Sequence, residues 1–207
     1  MKTFKQHINE KAARIPVLVS MVKAGKFTGA LGLMDYLEQH NWAEANGFGR
    51  DGIVYWDKSN REAVIKVGSS GNKSKPALEF LQYCEKEKPH QRNSLFPIVY
   101  KTFEWKNDEP SWIAILEYLD PAGPKIIETL KAENSIAAWE LLMYLNEPEH
   151  QDYNKMFKYF NKIGITKENY EMMRLIIKKR FGTDYIDSHA GNFGYRKNGQ
   201  IVFFDPV

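Results

Sequence analysis

Apolar positions recur along this chain in two rhythms, and the changes between them divide it. From about Asn9 to His40 the rhythm is helical. Ile15, Leu18, Val19 and Val22 fall on one face, Pro16 suits a first helical turn, and Gly25 is a stop. A second helix from Thr28 places Leu31, Met34 and Leu37 on its buried side. From Asn46 the pattern shortens. Gly47-Phe48-Gly49-Arg50-Asp51-Gly52 is a glycine-rich turn, followed by a short strand at Ile53–Trp56, a polar turn at Asp57–Asn60 and a β-branched strand at Ala63–Val67. After a polar loop from Ser69 to Lys75, Pro76 opens a helix to about Lys86. Pro97–Phe103 and Trp112–Tyr118 read as a strand pair across the loop Lys106–Ser111.

After Asp120 the helical rhythm returns. One segment follows Pro124; a second follows the cap Asn134, with Ile136, Trp139, Leu142 and Met143 on one face. A third runs from about Asp152 to Ile163. A fourth runs from Thr166 to Gly182, with Lys178, Lys179 and Arg180 in its last turn, where the helix dipole favours cations. At the end, Phe193–Arg196 and Gln200–Phe204 flank Lys197-Asn198-Gly199, a strong hairpin signal. The pattern therefore predicts an α+β fold: a helical segment over residues 1–45, a strand-rich lobe over 46–119 and a mainly helical lobe over 120–207.

Composition narrows the class. With 207 residues, 43% hydrophobic and 27% charged, the chain can bury a core or two small lobes and is not a disordered sequence. A net charge of +3 is too mild to argue for nucleic acid as partner. Cys84 is the single cysteine, so no intramolecular disulfide forms and a reducing cytoplasm fits; it reads as a buried helix residue. Met1–Glu10 is polar and carries no signal-peptide core, and Ile15–Val22 is too short to span a bilayer, so a membrane is not expected as partner.

Four signals carry chemistry. Gly47-x-Gly49-x-x-Gly52 suits close approach to phosphate oxygens, and the strand-turn-strand that follows fits a hairpin lid rather than a dinucleotide turn. Read alone it is equally a plain turn. Lys66, in Ala63-Val64-Ile65-Lys66, places a cation in an apolar strand. It is costly to bury without anionic partners and suits the α/β-phosphates of a nucleotide, with Glu79 in the following helix as its ion-pair partner; the plainer reading is an edge-strand lysine facing water. Asp187-Ser188-His189-Ala190-Gly191-Asn192 places Asp and Asn five residues apart in a loop between a helix and a hairpin. The Asp there would accept a hydroxyl proton and the Asn oxygen would hold Mg²⁺, the plainer reading being a polar turn. His189 reads first as a loop-packing or hydrogen-bonding residue. Asp205, after the last apolar run, returns across the hairpin to Asn192 and would complete an oxygen pair for Mg²⁺, whose other ligands are water and phosphate.

Taken in order, these residues resemble the protein-kinase-like superfamily from Gly47 onward. More narrowly, Val64-Ile65-Lys66-Val67-Gly68, the Asp187–Asn192 loop and Asp205-Pro206-Val207 resemble the early serine/threonine protein kinase of short-tailed, autographivirus-type bacteriophages. The resemblance implies a two-lobed fold with ATP in the cleft between lobes and Glu117, Tyr118 and Leu119 as hinge. It implies Lys66 and the Gly47–Gly52 turn on ATP, Asp187 as catalytic base, Asn192 and Asp205 on Mg²⁺, and host proteins as substrates. The Asp-x-His-x-x-Asn pattern is also similar to aminoglycoside and other small-molecule phosphotransferases. Departures from the kinase pattern are Asp205-Pro206-Val207 in place of Asp-Phe-Gly, Tyr185-Ile186 in place of His-Arg, and no Ala-Pro-Glu segment. They keep a third reading open, a pseudokinase that acts by binding a host protein.

Overall fold

The computed structural model describes residues 14–44, 52–69, 75–105, 111–131, 142–150 and 153–206. The fold is α+β, and the chain forms two compact units. One ends at Glu85 and resumes over Val99–Tyr118; the other comprises Lys86–Ile98 and the chain from Leu119 onward. The expected cap Asn134, the stripe residues Ile136 and Trp139, and the turn residues Gly47 and Gly49 lie outside the described residues.

The first unit is built on an antiparallel sheet of β1 (Trp42–Glu44), β2 (Ile53–Asp57), β3 (Asn60–Ser69), β4 (Val99–Trp105) and β5 (Ser111–Glu117), in the order β1-β2-β3-β5-β4. β5 lies between two partners and every residue in it is buried, which is why it reads as an unbroken apolar run rather than an alternation. Ile65 faces Ile115 and Val67 faces Ile113 across the β3–β5 pair. Two helices, α1 (Arg14–Lys23) and α2 (Ala30–Gln39), share one core with the sheet through Leu18, Val22, Leu33, Leu37, Tyr55, Ile65, Ile113 and Ile115.

In α2 the buried stripe is Leu33 and Leu37, whereas Leu31 is exposed and Met34 only partly buried. Of the expected stripe, Leu37 is fully buried and Met34 partly buried, whereas Leu31 faces water and Leu33 takes its place in the core. Ala30 N–H donates to Ser111 Oγ at 3.2 Å, and a helix anchored there turns the i, i+4 pair Leu33–Leu37 inward.

α3 (Lys75–Glu87) buries Ala77, Leu78, Phe80, Leu81 and Cys84. Burial pushes the Cys84 thiol well up, which keeps it in the protonated, unreactive form. Near the end of α3 the Glu85 carboxylate accepts from Lys101 Nζ and from the Thr102 N–H at 2.7 Å, pinning the helix to β4.

In the second unit β6 (Asp120–Pro121), β7 (Phe193–Tyr195) and β8 (Ile201–Phe203) form a small antiparallel sheet in that order. With it stand α4 (Gly123–Lys131), α5 (Tyr153–Phe160) and α6 (Lys167–Phe181). Phe157, Phe160, Tyr170, Met173, Phe193 and Phe203 are buried, the Tyr170 and Phe203 rings lying 6.1 Å apart. Both ends of α6 follow the sequence expectation: Thr166 Oγ1 accepts from Asn169 N–H, and Gly182 closes the helix at φ 71°.

The segment Lys86–Ile98 has no pattern that assigns it to either unit, and long-range hydrogen bonds place it. The Arg196 guanidinium donates to the carbonyls of Ser94 at 2.8 Å and Phe96 at 2.9 Å, and Phe203 N–H donates to Leu95 at 2.8 Å. No helix among the described residues is long and apolar enough to cross a membrane.

For Glu85, burial alone would raise the carboxyl pKa, but the hydrogen bonds from Lys101 and Thr102 outweigh it and hold the group below its ordinary value. A carboxyl whose pKa is lower in the folded state stabilises the fold above its unfolded pKa and loses that contribution as pH falls through the folded one. Glu85→Gln should therefore cost about 1–2 kcal/mol at pH 7, and the gap to wild type should narrow as pH falls below the ordinary carboxylate range. Urea unfolding at stepped pH measures this; a gap that does not change with pH would show that the charge is not what ties α3 to β4.

Candidate functional site

A polar stretch is held in one conformation only where its backbone groups find partners. From Thr183 to His189 the chain has no regular structure until a single 3-10 turn at Ala190–Asn192, yet its backbone is bonded on several sides. Asp187 N–H donates to Pro206 O at 3.0 Å, Asn192 N–H to His189 O at 3.0 Å, and Phe204 N–H to Asn192 O at 3.1 Å. Asn192 Nδ2 donates to Asp187 O at 2.9 Å. That last bond closes the loop and accounts for the spacing: an amide five residues after the Asp reaches back to its carbonyl. It also fixes the Asn192 amide with Nδ2 inward, which leaves Oδ1 as its acceptor.

The hairpin pairs Phe193 with Phe203, which sets Asn192 beside Phe204 and brings Asp205 next in line. Asn192 and Asp205 are each 8% exposed. The Asp187 side chain, by contrast, is 45% exposed. Its neighbour is His189, whose Nε2 lies 3.7 Å from Asp187 Oδ2, too far for a hydrogen bond. His189 Nδ1 accepts from Gly191 N–H at 3.0 Å. A backbone N–H can only donate, so in the neutral ring the proton sits on Nε2, on the Asp187 side.

Asn192 Oδ1 and the Asp205 carboxylate are hard oxygen donors, the type a Mg²⁺ ion takes. Among the described residues no group of three or more His, Cys, Asp or Glu side chains is placed to hold a metal. The pair therefore fits an ion that draws its remaining ligands from water and phosphate, and does not fit a closed protein cage.

One contributor gave no signal in the sequence. Asn146 ends the 3-10 turn Tyr144–Asn146 and reaches the loop from 40 residues upstream. Its Oδ1 accepts from Ile186 N–H at 2.9 Å, and its Nδ2 donates to Ile186 O at 2.9 Å and to Ser188 Oγ at 3.1 Å. Ser188 Oγ in turn donates to Leu142 O at 2.9 Å.

In the first unit, Lys66 stands on β3 opposite Val54 and Ala114 and is only 4% exposed. β3 is an interior strand, so Lys66 is not the water-facing edge lysine that the plainer reading supposed. Glu79 does not meet it. Glu79 is 50% exposed and its carboxylate lies 3.8 Å from Lys75 Nζ, one turn back on α3. The expectation of a Lys66–Glu79 pair is thus corrected: the buried face of α3 is Ala77, Leu78, Phe80, Leu81 and Cys84, which turns Glu79 toward water.

Gly52 sits at φ 147°, and a Cβ there would come within 2.5 Å of the Val67 carbonyl, so the β2–β3 pairing itself demands glycine. Glu117 ends β5 and is buried. Tyr118 N–H donates to Glu62 O at 3.0 Å, and at Leu119 the chain passes back into the second unit.

No protein family and no curated protein matches the chain. Among solved structures, amicoumacin kinase hAmiN in complex with AMP-PNP, Ca2+ and Ami is similar at 14% identity with a TM-score of 0.37 over 90% of this chain. The chain spans 65% of that kinase's length. A likeness this distant fixes neither fold nor function, and the residues of the chain itself carry the reading.

A Cβ on Gly191 would lie 2.8 Å from His189 Cε1. The His189 ring is largely exposed and free to swing, so Gly191→Ala should fold normally while moving the imidazole off its Gly191 N–H bond. Ring nitrogen shifts in a 15N spectrum should show a single Nε2–H tautomer in wild type and a mixture in Gly191→Ala. A single tautomer in both would mean that the Gly191 bond does not set the ring.

Proposed function

We propose that this chain is an ATP-dependent phosphotransferase of the protein-kinase-like kind, passing a phosphoryl group to a hydroxyl. The observation that carries the reading is the closed Asp187–Asn192 loop stitched to the Asp205 segment, with an accessible carboxylate beside two buried oxygen donors. The exposures fit the roles. Asp187 has to meet a diffusing acceptor, whereas Asn192 and Asp205 would meet an ion that arrives with the nucleotide.

In the reaction the acceptor oxygen bonds to the γ-phosphorus as the bond from that phosphorus to the β–γ bridging oxygen breaks. ADP leaves with the electron pair, and the hydroxyl proton passes to the Asp187 carboxylate. Asn192 and Asp205 would hold Mg²⁺, which would neutralise charge on the phosphates. Lys66 would supply a point charge to the α/β-phosphates, the Gly47–Gly52 turn would approach them, and Glu117, Tyr118 and Leu119 would form the hinge. Catalysis comes from positioning and charge stabilisation rather than from covalent chemistry.

A small-molecule hydroxyl is the favoured acceptor. What supports it is the Asp-x-His-x-x-Asn pattern together with an imidazole whose Nε2–H lies on the Asp187 side. A serine or threonine of a host protein is the other acceptor, carried by the resemblance of Val64–Gly68 and Asp205-Pro206. The cytoplasm, which supplies ATP and keeps Cys84 reduced, is the compartment this reading proposes.

Thermal melting tests the nucleotide site. Mg-ATP at a hundredfold over Kd should stabilise the fold by about 2.7 kcal/mol, and Asp205→Ala should abolish the shift. Asp187→Asn should keep the shift and lose phosphoryl transfer. ADP release with hydroxylated small molecules, set against labelling of proteins in a host lysate, separates the two acceptors. No shift at saturating Mg-ATP would overturn the reading in favour of a scaffold that works by binding partners.

A further inference from the structure

Asp187 is held by its backbone while its carboxylate is left uncommitted, and part of that hold comes from a residue outside the kinase-like constellation. We propose that Asn146 is a positioning residue for Asp187, holding the Ile186 backbone on one side of it and the Ser188 hydroxyl on the other so that the carboxylate faces the acceptor hydroxyl; this rests on the phosphotransferase reading above.

Asn146 and Ile186 form a two-bond ring. Ile186 N–H donates to Oδ1 and Nδ2 donates to Ile186 O, each at 2.9 Å, the pattern one strand offers another. Ile186 is fully buried, so those peptide groups have no water to turn to and the side-chain amide is their partner. On the far side of Asp187, Ser188 is also buried and its hydroxyl bridges Asn146 Nδ2 to Leu142 O. Asp187 itself is tied by its N–H to Pro206 O and by its carbonyl to Asn192 Nδ2. The Ile186 and Asp187 backbone and the Ser188 side chain are therefore anchored, from two different parts of the second unit. The Asp187 carboxylate itself is half exposed.

The chemistry explains why the brace is asparagine. One side chain must give a donor and an acceptor at the spacing of a peptide group. Aspartate gives no donor, and leucine, though similar in shape, gives neither. The geometry suits positioning rather than chemistry, because the Asn146 amide bonds to Ile186 and Ser188 and not to the Asp187 carboxylate. A misplacement of about 1 Å at a reacting group is enough to cost about a hundredfold in rate.

The test uses the full chain with Asn146→Ala, and Ser188→Ala as a milder cut in the same network in case Asn146→Ala does not fold. Steady-state kinetics should show kcat down about tenfold to a hundredfold for Asn146→Ala and less for Ser188→Ala, with KM for ATP and the Mg-ATP melting shift unchanged. If kcat stays within twofold of wild type in both variants, or if it falls only together with the melting shift, the proposal is overturned and Asn146 is simply structural.

A second readout does not depend on activity. The side-chain amide resonances of Asn192, which report its bond to Asp187 O, should move in Asn146→Ala. If wild type transfers no phosphoryl group, the functional reading fails, and these resonances still decide the brace: moved peaks uphold it and unmoved peaks overturn it.

Discussion

Asp187 N–H donates to the carbonyl of Pro206, and Phe204 N–H donates to that of Asn192. These two bonds run from a polar loop to the strand end that carries Asp205, and the candidate site depends on them. Without them the loop would keep its internal Asn192–Asp187 bond but lose its direct hydrogen bonds to the residues flanking Asp205. With them the Asp205 residue is bracketed on both sides, because its two chain neighbours make the bonds. The hairpin register leads to the same arrangement from the other direction, since pairing Phe193 with Phe203 leaves Asn192 and Phe204 as the next pair in line.

The first unit meets a different constraint. Lys66 is a cation on an interior strand, flanked in the sheet by Val54 and Ala114 and almost fully buried. A sheet does not gain from such a residue, and an apolar one would pack there at less cost. The stabilising ion pair of α3 is made elsewhere, by Glu85 to Lys101 on β4, while Glu79 turns to Lys75. Fixing the helix to the sheet and holding Lys66 are thus separate tasks in this chain, given to different residues. On the reading proposed above, a cation kept at that cost would serve the phosphates it meets.

What could be read from the sequence follows the range of the interactions. The alternation and runs that make β2, β3, β4 and β5, the cap at Thr166, the αL glycine at Gly182 and the Asn-Gly hairpin are set by neighbours a few residues apart, and they stand where the sequence places them. The Asp187–Asn192 spacing is legible for the same reason, since a bond inside the loop imposes it. The phase of α2 is not, because a contact with Ser111 sets it from 81 residues away. Asn146 and Arg196 have no local signature: each satisfies backbone carbonyls far along the chain, at separations of 40 for Asn146 to Ile186 and 102 for Arg196 to Ser94. The Glu79 expectation failed on local grounds that were present in the sequence. Ala77, Leu78, Phe80, Leu81 and Cys84 already define the buried face of that helix, and position 79 falls off it.

On the proposed reading, the site separates two electrostatic jobs that a carboxylate cannot do at once. A base needs a lone pair free to take a proton, whereas a metal ligand has its lone pairs engaged. Asp205 is buried beside the loop, and Asp187 is half exposed with the His189 ring, rather than a lysine or arginine, as its neighbour. A lysine or arginine hydrogen-bonded to Asp187 would hold its carboxylate as an anion and weaken it as a base. His189 Nε2 lies 3.7 Å from Oδ2, too far for a hydrogen bond, so on that reading the carboxylate stays open to an acceptor hydroxyl.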